Sequence, residues 1–319
     1  MTIFQDLVKV YDNNKDIAGK FELDHFLKPY TLLPSGHISV GVQLEVTVSL
    51  KGEFITAGQI TKDDRTTVIP ATIKSANRAS APEAHPLQDK IKYVAGDYAN
   101  YAPSDKKGND FRKSYFDLLT EWAESPQAHP KIRAIYEYQK QNRLLKDLID
   151  IGEITLADNG QLNDKDKNLY VRFNVDDENP KSLPIWQDQS VFQSWIDFYA
   201  TKLRVEQPVD VDYLSGKEVP TTKLNEKNIN PATSGAKLIS ANDSANFTYR
   251  GIFHDDDFYS VGYDSSQKMA HALKWLIQRQ GLKSDTRVFV FWTDEPEENQ
   301  KVADASSAMY SGSSLLQSI

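Results

Sequence analysis

Three groups of side chains in this sequence carry the atoms for chemistry, and each implies a different partner. His254-Asp255-Asp256-Asp257 sets an imidazole beside three hard carboxylates, donors able to hold a divalent cation that activates water. Four consecutive residues cannot all aim at one ion from a regular element, and no second His/Asp set stands at ligand spacing. An acidic turn leading into a strand over 258–261 is the competing reading. Lys74, Asn77, Arg78 and Ser80, followed by Lys90 and Lys92, present cations, an amide and a hydroxyl, the groups that contact phosphates and base edges. Lys217, Ser234 and Lys237 offer the same chemistry farther along. Ser215-Gly216-Lys217 has the ending of a phosphate loop, but the upstream glycine is missing and Glu218 replaces the hydroxyl that would meet magnesium. No G-x-S-x-G, H-E-x-x-H or G-x-G-x-x-G motif occurs. His25, His37, His129 and His271 are isolated, and His85 reads equally as a packing residue beside Pro86. With no cysteine, thiolate nucleophiles, disulfides and Cys-ligated zinc are excluded.

The elements that must position these groups follow from hydrophobic spacing. A chain of 319 residues, 39% hydrophobic and 26% charged, is long enough for one large domain or two ordinary ones and has a globular composition. No apolar run approaches a membrane span and the N-terminus lacks a signal-peptide plan, so a cytoplasmic protein is expected, with the sequon Asn246-Phe247-Thr248 idle. A net charge of −8 argues against coating nucleic acid by bulk electrostatics, yet Arg65, Lys74, Arg78, Lys90 and Lys92 outnumber Glu83 and Asp89 locally. Residues 1–13 read as an amphipathic helix with Thr2 as N-cap. Ile38 to Leu50 alternates apolar and polar throughout, predicting one long strand, with Lys51-Gly52 turning it into a return strand over 54–60. The stretch 72–97 lacks periodicity and reads as a ligand-ordered loop. Helices are predicted for the Phe111, Tyr115, Leu118, Leu119, Trp122 stripe, from Pro130 to near Gly152, and over 190–203. A further helix after Asp264 has Asp264 and Gln267 as a capping box. Strands are predicted at 169–175, 238–240 and, centrally in a sheet, 288–292. After Pro296 the chain turns acidic, then small and polar, and reads as a loosely ordered tail.

Arg78-Ala79-Ser80-Ala81, His85-Pro86-Leu87-Gln88-Asp89-Lys90 and Tyr93-Val94-Ala95-Gly96-Asp97 resemble a CRISPR family signature. That family is the large subunit of the type I-C (Dvulg subtype) Cascade surveillance complex. Ala79 and Ala81 depart from its usual Thr and Gly. Farther on, Leu214–Lys217, Ser234–Asn242, Tyr259-Ser260-Val261-Gly262, Gln267–Leu276 and Val288–Trp292 follow the family's order and spacing. The family's long helical C-terminal half is missing, which puts its functions in doubt. The resemblance implies an α+β fold, a mixed or antiparallel twisted sheet with packed helices, over 1–296, with 297–319 as a flexible tail. It implies a non-enzymatic, cofactor-free subunit that reads the protospacer-adjacent motif of double-stranded target DNA and helps hold the opened strands. Its partners would be the other Cascade subunits, guide RNA and a helicase-nuclease recruited after target binding, with no membrane. The expected DNA-binding residues are Lys74, Asn77, Arg78, Ser80, Lys90, Lys92, Lys217, Ser234 and Lys237, with Gly96 and Gly235 serving backbone geometry. The alternatives are a metal-dependent hydrolase centred on His254–Asp257 and a truncated remnant that docks on the complex without completing it.

Overall fold

The computed structural model describes residues 2–24, 26–78, 82–230, 233–240 and 260–293. Ser80, His25, the His254–Asp257 cluster, the sequon and the 297–319 tail lie outside the described residues. In chain order, α1 (Ile3–Asn14) is followed by β1 (Glu22–Leu23), β2 (Pro29–Tyr30), β3 (His37–Gly41), β4 (Leu44–Ser49), β5 (Phe54–Gln59) and β6 (Thr66–Pro70). Next come α2 (Ile73–Asn77), β7 (Asp89–Lys90), α3 (Ile91–Val94), α4 (Tyr98–Tyr101), α5 (Gly108–Ala123), α6 (Pro130–Lys140) and α7 (Leu144–Asp150). The chain continues through β8 (Tyr170–Asp176), α8 (Gln189–Glu206), β9 (Val209–Val211), β10 (Glu218–Pro220), α9 (Tyr263–Gln280), β11 (Leu282–Ser284) and β12 (Arg287–Phe289). The fold is α+β, as the sequence predicts. It divides into two compact units, Gly36–Ala200 and the paired segments Met1–Ser35 with Thr201–Ile319.

The unit spanning 36–200 is built on a four-stranded sheet of order β5-β4-β8-β7. β4 and β8 run parallel, the other pairs antiparallel. The single strand expected over 38–50 is in fact two. β3 pairs with β6 in a separate sheet, while β4 joins the four-stranded one. The chain switches at Val42-Gln43, where Val42 N donates to Arg65 O and Gln43 N to Tyr170 O, so each amide finds a different neighbour. Alternation persists through the switch, which is why the sequence conceals it.

Arg172 on β8 joins the two sheets. Its guanidinium donates to Glu45 Oε2 at 2.7 and 2.9 Å, to Thr67 Oγ1 at 3.0 Å and to Asp64 O at 3.1 Å, and lies 3.6 Å from the centre of the Trp186 ring. The expected hairpin turn holds: Gly52 has φ +76°, and any Cβ there would strike the α6 backbone at Ala134 O. The single helix expected from Pro130 to Gly152 breaks at Asn142, whose φ of +49° ends α6 before α7 begins.

In the unit formed by 1–35 and 201–319, α1 and α9 pack through Leu7, Val10, Tyr11, Met269, Ala272, Trp275 and Leu276. Thr2 caps α1 as predicted, in a capping box with Gln5. Asp264 does not cap α9. Gly262 is the N-cap, Asp264 pairs with Lys268 at 2.9 Å, and Lys268 also reaches Asp12 on α1 at 2.9 Å. Residues 288–292 do not form a central strand. Among the described residues β12 pairs with β11 alone, in a two-stranded hairpin, with Phe289 50% and Phe291 62% exposed. Residues 238–240 form no strand; Leu238 and Ile239 pack instead against the α1–α9 core.

Replacing Arg172 by Met keeps volume but strips Glu45 and Thr67 of their donor. A loss of about 3 kcal/mol is expected in urea unfolding, because a half-buried carboxylate is left without its cation. A change within about 0.5 kcal/mol would show that Arg172 does not tie the sheets.

Candidate nucleic-acid interface

The described parts of the 72–97 stretch, 72–78 and 82–97, are built by internal hydrogen bonds rather than reading as a loop awaiting a ligand. Thr72 opens α2 by accepting from Ser75 N at 3.0 Å, while Ser75 Oγ accepts from Thr72 N at 3.0 Å. α2 stops at Arg78, whose backbone turns extended. From there the Arg78 side chain runs inward. Nη1 donates to Asp89 Oδ2 at 2.6 Å and Glu83 O at 2.8 Å; Nη2 donates to Asp89 Oδ1 at 2.6 Å and Tyr170 Oη at 3.0 Å. Its Cζ also lies 4.7 Å from the Tyr93 ring centre.

Asp89 is fully buried and accepts from His85 N and Lys90 N as well. Burial alone would push the Arg78 pKa down; the bidentate bond and charge of Asp89 outweigh it and hold the guanidinium charged. Arg78 was expected as a direct DNA contact. Its guanidinium is committed inside the protein instead.

The rest of the signature is structural in the same way. His85 is buried with Nδ1 2.9 Å from Ser75 Oγ, and Leu87 O accepts from Tyr115 Oη at 2.8 Å. Gly96 leaves room for Asn142, with which any Cβ would collide. Asp97 accepts from Leu145 N at 3.0 Å and Lys146 N at 2.9 Å, so it caps α7 from a distant part of the chain.

The cations around this frame stay free. Lys90 Nζ lies 5.6 Å from the Tyr170 ring centre, and Lys92 Nζ lies 4.9 Å from that of Phe111 and 6.0 Å from that of Tyr93. Among the described residues neither ammonium is in an ion pair. Burial, then the neighbouring Lys90 charge, lowers the Lys92 pKa. An anion placed here would relieve both lysines. Lys74 is exposed on α2. Asn77 donates its amide to Ile73 O at 3.0 Å and is half-buried.

Lys217, Ser234 and Lys237 lie in the other unit, all exposed. Lys217 ends a turn organised by buried Asp212, which accepts from Leu214 N, Ser215 N, Ser215 Oγ, Gly262 N and Ser265 Oγ. Gly216 at φ +69° lets its own N–H reach Asp212 O at 2.7 Å. Gly235, as expected, occupies the left-handed region at φ +78°. No local pattern marks Asp212 as the builder of this turn, because its partners lie as far away as Ser265.

One cluster has the composition of a catalytic triad. Ser190 Oγ sits 3.2 Å from His129 Nε2 and 2.5 Å from Asp188 Oδ1. His129 Nδ1 accepts from Lys131 N as the N-cap of α6, which places the ring proton on Nε2, facing Ser190. An imidazole in that tautomer donates to the hydroxyl and cannot take its proton. Asp188 meanwhile holds Lys131 Nζ at 2.9 Å, so the group reads as a helix cap with a buried ion pair. Among the described residues no group of three or more acidic or imidazole side chains could hold a metal, and no helix is long and apolar enough to cross a membrane.

A protein-family model described as CRISPR-associated protein (Cas_Csd1) matches residues 7–315. No curated protein matches the chain.

Burial drives the pKa of both His85 and His271 down to about 4 from an ordinary value of about 6.5. The unfolded chain therefore binds more protons between those values. The stabilising contribution is complete above pH 6.5 and is lost as pH falls towards 4, by up to about 3 kcal/mol per histidine. Urea midpoints should drop between pH 6.5 and 4.5, above the range where carboxylates dominate. Replacing both histidines by Gln should flatten that stretch. An unchanged slope in the double variant would refute the assignment.

Proposed function

We propose, from the premise that this chain belongs to the CRISPR-associated Cas_Csd1 family, that it is the DNA-recognition subunit of a type I-C Cascade. In such a complex the protein reads a short protospacer-adjacent motif on duplex DNA and guide RNA pairs with the rest. The observation that carries this reading is the pair of ammonium groups at Lys90 and Lys92, in no ion pair among the described residues. They rest on an aromatic frame locked from below by Arg78 and Asp89. Cations held on a rigid base lose little entropy on meeting phosphate, whereas lysines already paired with carboxylates would have to break those pairs first.

In this reading Lys74, Lys90 and Lys92 meet backbone phosphates, Asn77 and Ser80 approach base edges, and Lys217, Ser234 and Lys237 supply a second set of contacts. Arg78 acts as a positioning residue beneath them. The subunit works by binding, with the other Cascade subunits, guide RNA and a later helicase-nuclease as partners. It breaks no bonds itself.

Lys74→Ala and Lys92→Ala, each in the assembled complex, should weaken DNA binding several-fold for every motif sequence and lower the salt slope by about 1. Asn77→Ala should instead redistribute preference among motif sequences. Titrating duplexes with varied motifs at several salt concentrations separates these effects. If neither class of variant changes DNA binding by the complex, the interface lies elsewhere. Duplex binding that requires added magnesium, or cleavage with it, would favour the His254–Asp257 hydrolase reading instead.

A further inference from the structure

The unit spanning 36–200 holds a cleft of about 580 Å³ where the ends of β4, β5 and β8 meet the 152–166 segment. That volume lies within the range of roughly 300–1,000 Å³ typical of small-ligand sites. Much of its polar lining has no other task. The Arg65 guanidinium gives only its Nε, to Ile60 O at 3.4 Å. Among the described residues, the Lys165 ammonium, the Gln59 amide and the Glu153 carboxylate have no partner. The cleft thus pairs two cations with an acceptor carboxylate and a two-way amide.

A phosphate suits Arg65 and Lys165. The donor edge of a base suits Glu153, and Gln59 can meet either donors or acceptors.

Position adds to composition. Leu169 lines the cleft, and its carbonyl accepts from Ile91 N at 2.9 Å, one residue from both Lys90 and Lys92. Tyr170, the next residue, carries Lys90 over its ring and donates its backbone N–H to Gln43, another lining residue, at 2.8 Å. The free lysines and the cleft therefore share one stretch of backbone. We propose that this cleft binds one nucleotide of single-stranded nucleic acid, phosphate at Arg65 and Lys165, base edge at Gln59 and Glu153. The inference rests on the nucleic-acid reading above and names where an unpaired strand continues.

The test uses the full chain with short fluorescent oligonucleotides of one sequence as single-stranded DNA, single-stranded RNA and blunt duplex. The Arg65→Gln/Lys165→Gln variant should bind single strands about tenfold more weakly, with a salt slope lower by roughly 1, and bind duplex as wild type does. Glu153→Gln should change the ranking of homopolymer strands. Whichever single strand binds more tightly, DNA or RNA, identifies the source of the nucleotide, and either supports the site.

The proposal is overturned if the wild type binds no single strand or if the double variant binds single strands normally. Equal loss of duplex and single-strand affinity, or an acidic peptide displacing the oligonucleotide, overturns it too. Loss of duplex binding in Lys74→Ala and Lys92→Ala with single-strand binding intact tests the motif-reading surface apart from the cleft. Wild-type duplex binding that is absent while the cleft variant still loses single strands would sink the motif reading and leave the cleft standing.

Discussion

The bidentate pair between Arg78 and fully buried Asp89 is the constraint on which the surrounding architecture rests. A carboxylate without solvent is tolerable only when its lone pairs are filled, and Asp89 fills them with the guanidinium and the amides of His85 and Lys90. One side chain thereby fixes the end of α2, the 85–90 segment and the start of α3. Tyr170 Oη accepts the remaining Nη2 proton, tying the group to β8 as well. Any other rotamer of Arg78 would leave Asp89 as an uncompensated buried charge, so the frame has one arrangement.

That constraint changes what the signature residues mean. Of the signature residues Arg78, His85, Asp89, Tyr93, Gly96 and Asp97, the sequence reads Arg78 as a DNA contact, His85 equally as a packing residue and Gly96 as serving backbone geometry. Each serves the interior: Asp97 caps α7, Gly96 admits Asn142, and Tyr93 supports Arg78. Among the described residues the cations left without an ion pair here are Lys74, exposed, and Lys90 and Lys92, both partly buried. The recognisable residues here build the scaffold.

Much of the fold was legible because periodicity reports burial. The α1 cap at Thr2, the Phe111–Trp122 stripe, the Gly52 hairpin and β8 all follow from spacing and local turn chemistry. What escaped depends on partners distant in sequence. The strand switch at Val42-Gln43 keeps the alternation of its neighbours and shows only in where two amides donate. The break at Asn142 shares its cause with Gly96, nearly fifty residues earlier, and with Arg112, which donates to Asn142 Oδ1 at 3.0 Å. Asp264 satisfied the local pattern of a capping box, yet Asp212 reached the start of α9 first through Gly262 and Ser265. Val288–Trp292 has the composition of a central strand, but among the described residues β11 alone pairs with β12 and the alternate residues Phe289 and Phe291 are exposed.

Charge resolves the remaining tension between an acidic chain and a DNA-binding reading. The net charge of −8 sums over the whole molecule, whereas exposed charges farther apart than about 8 Å are largely screened at physiological salt. What an approaching phosphate senses is the local set, and near Tyr93 that set is Arg78, Lys90 and Lys92 with Asp89, Glu83 and Asp105. Arg78 and Asp89 cancel at close range, which leaves Lys90 and Lys92 as the cations outside ion pairs among the described residues, Lys92 disfavoured by burial and by its neighbour. Such a pair is electrostatically incomplete, and an anion lowers its energy where a further cation could not. Under the proposed DNA-recognition role, the acidic remainder of the chain restricts binding to the places where lysines stand outside ion pairs.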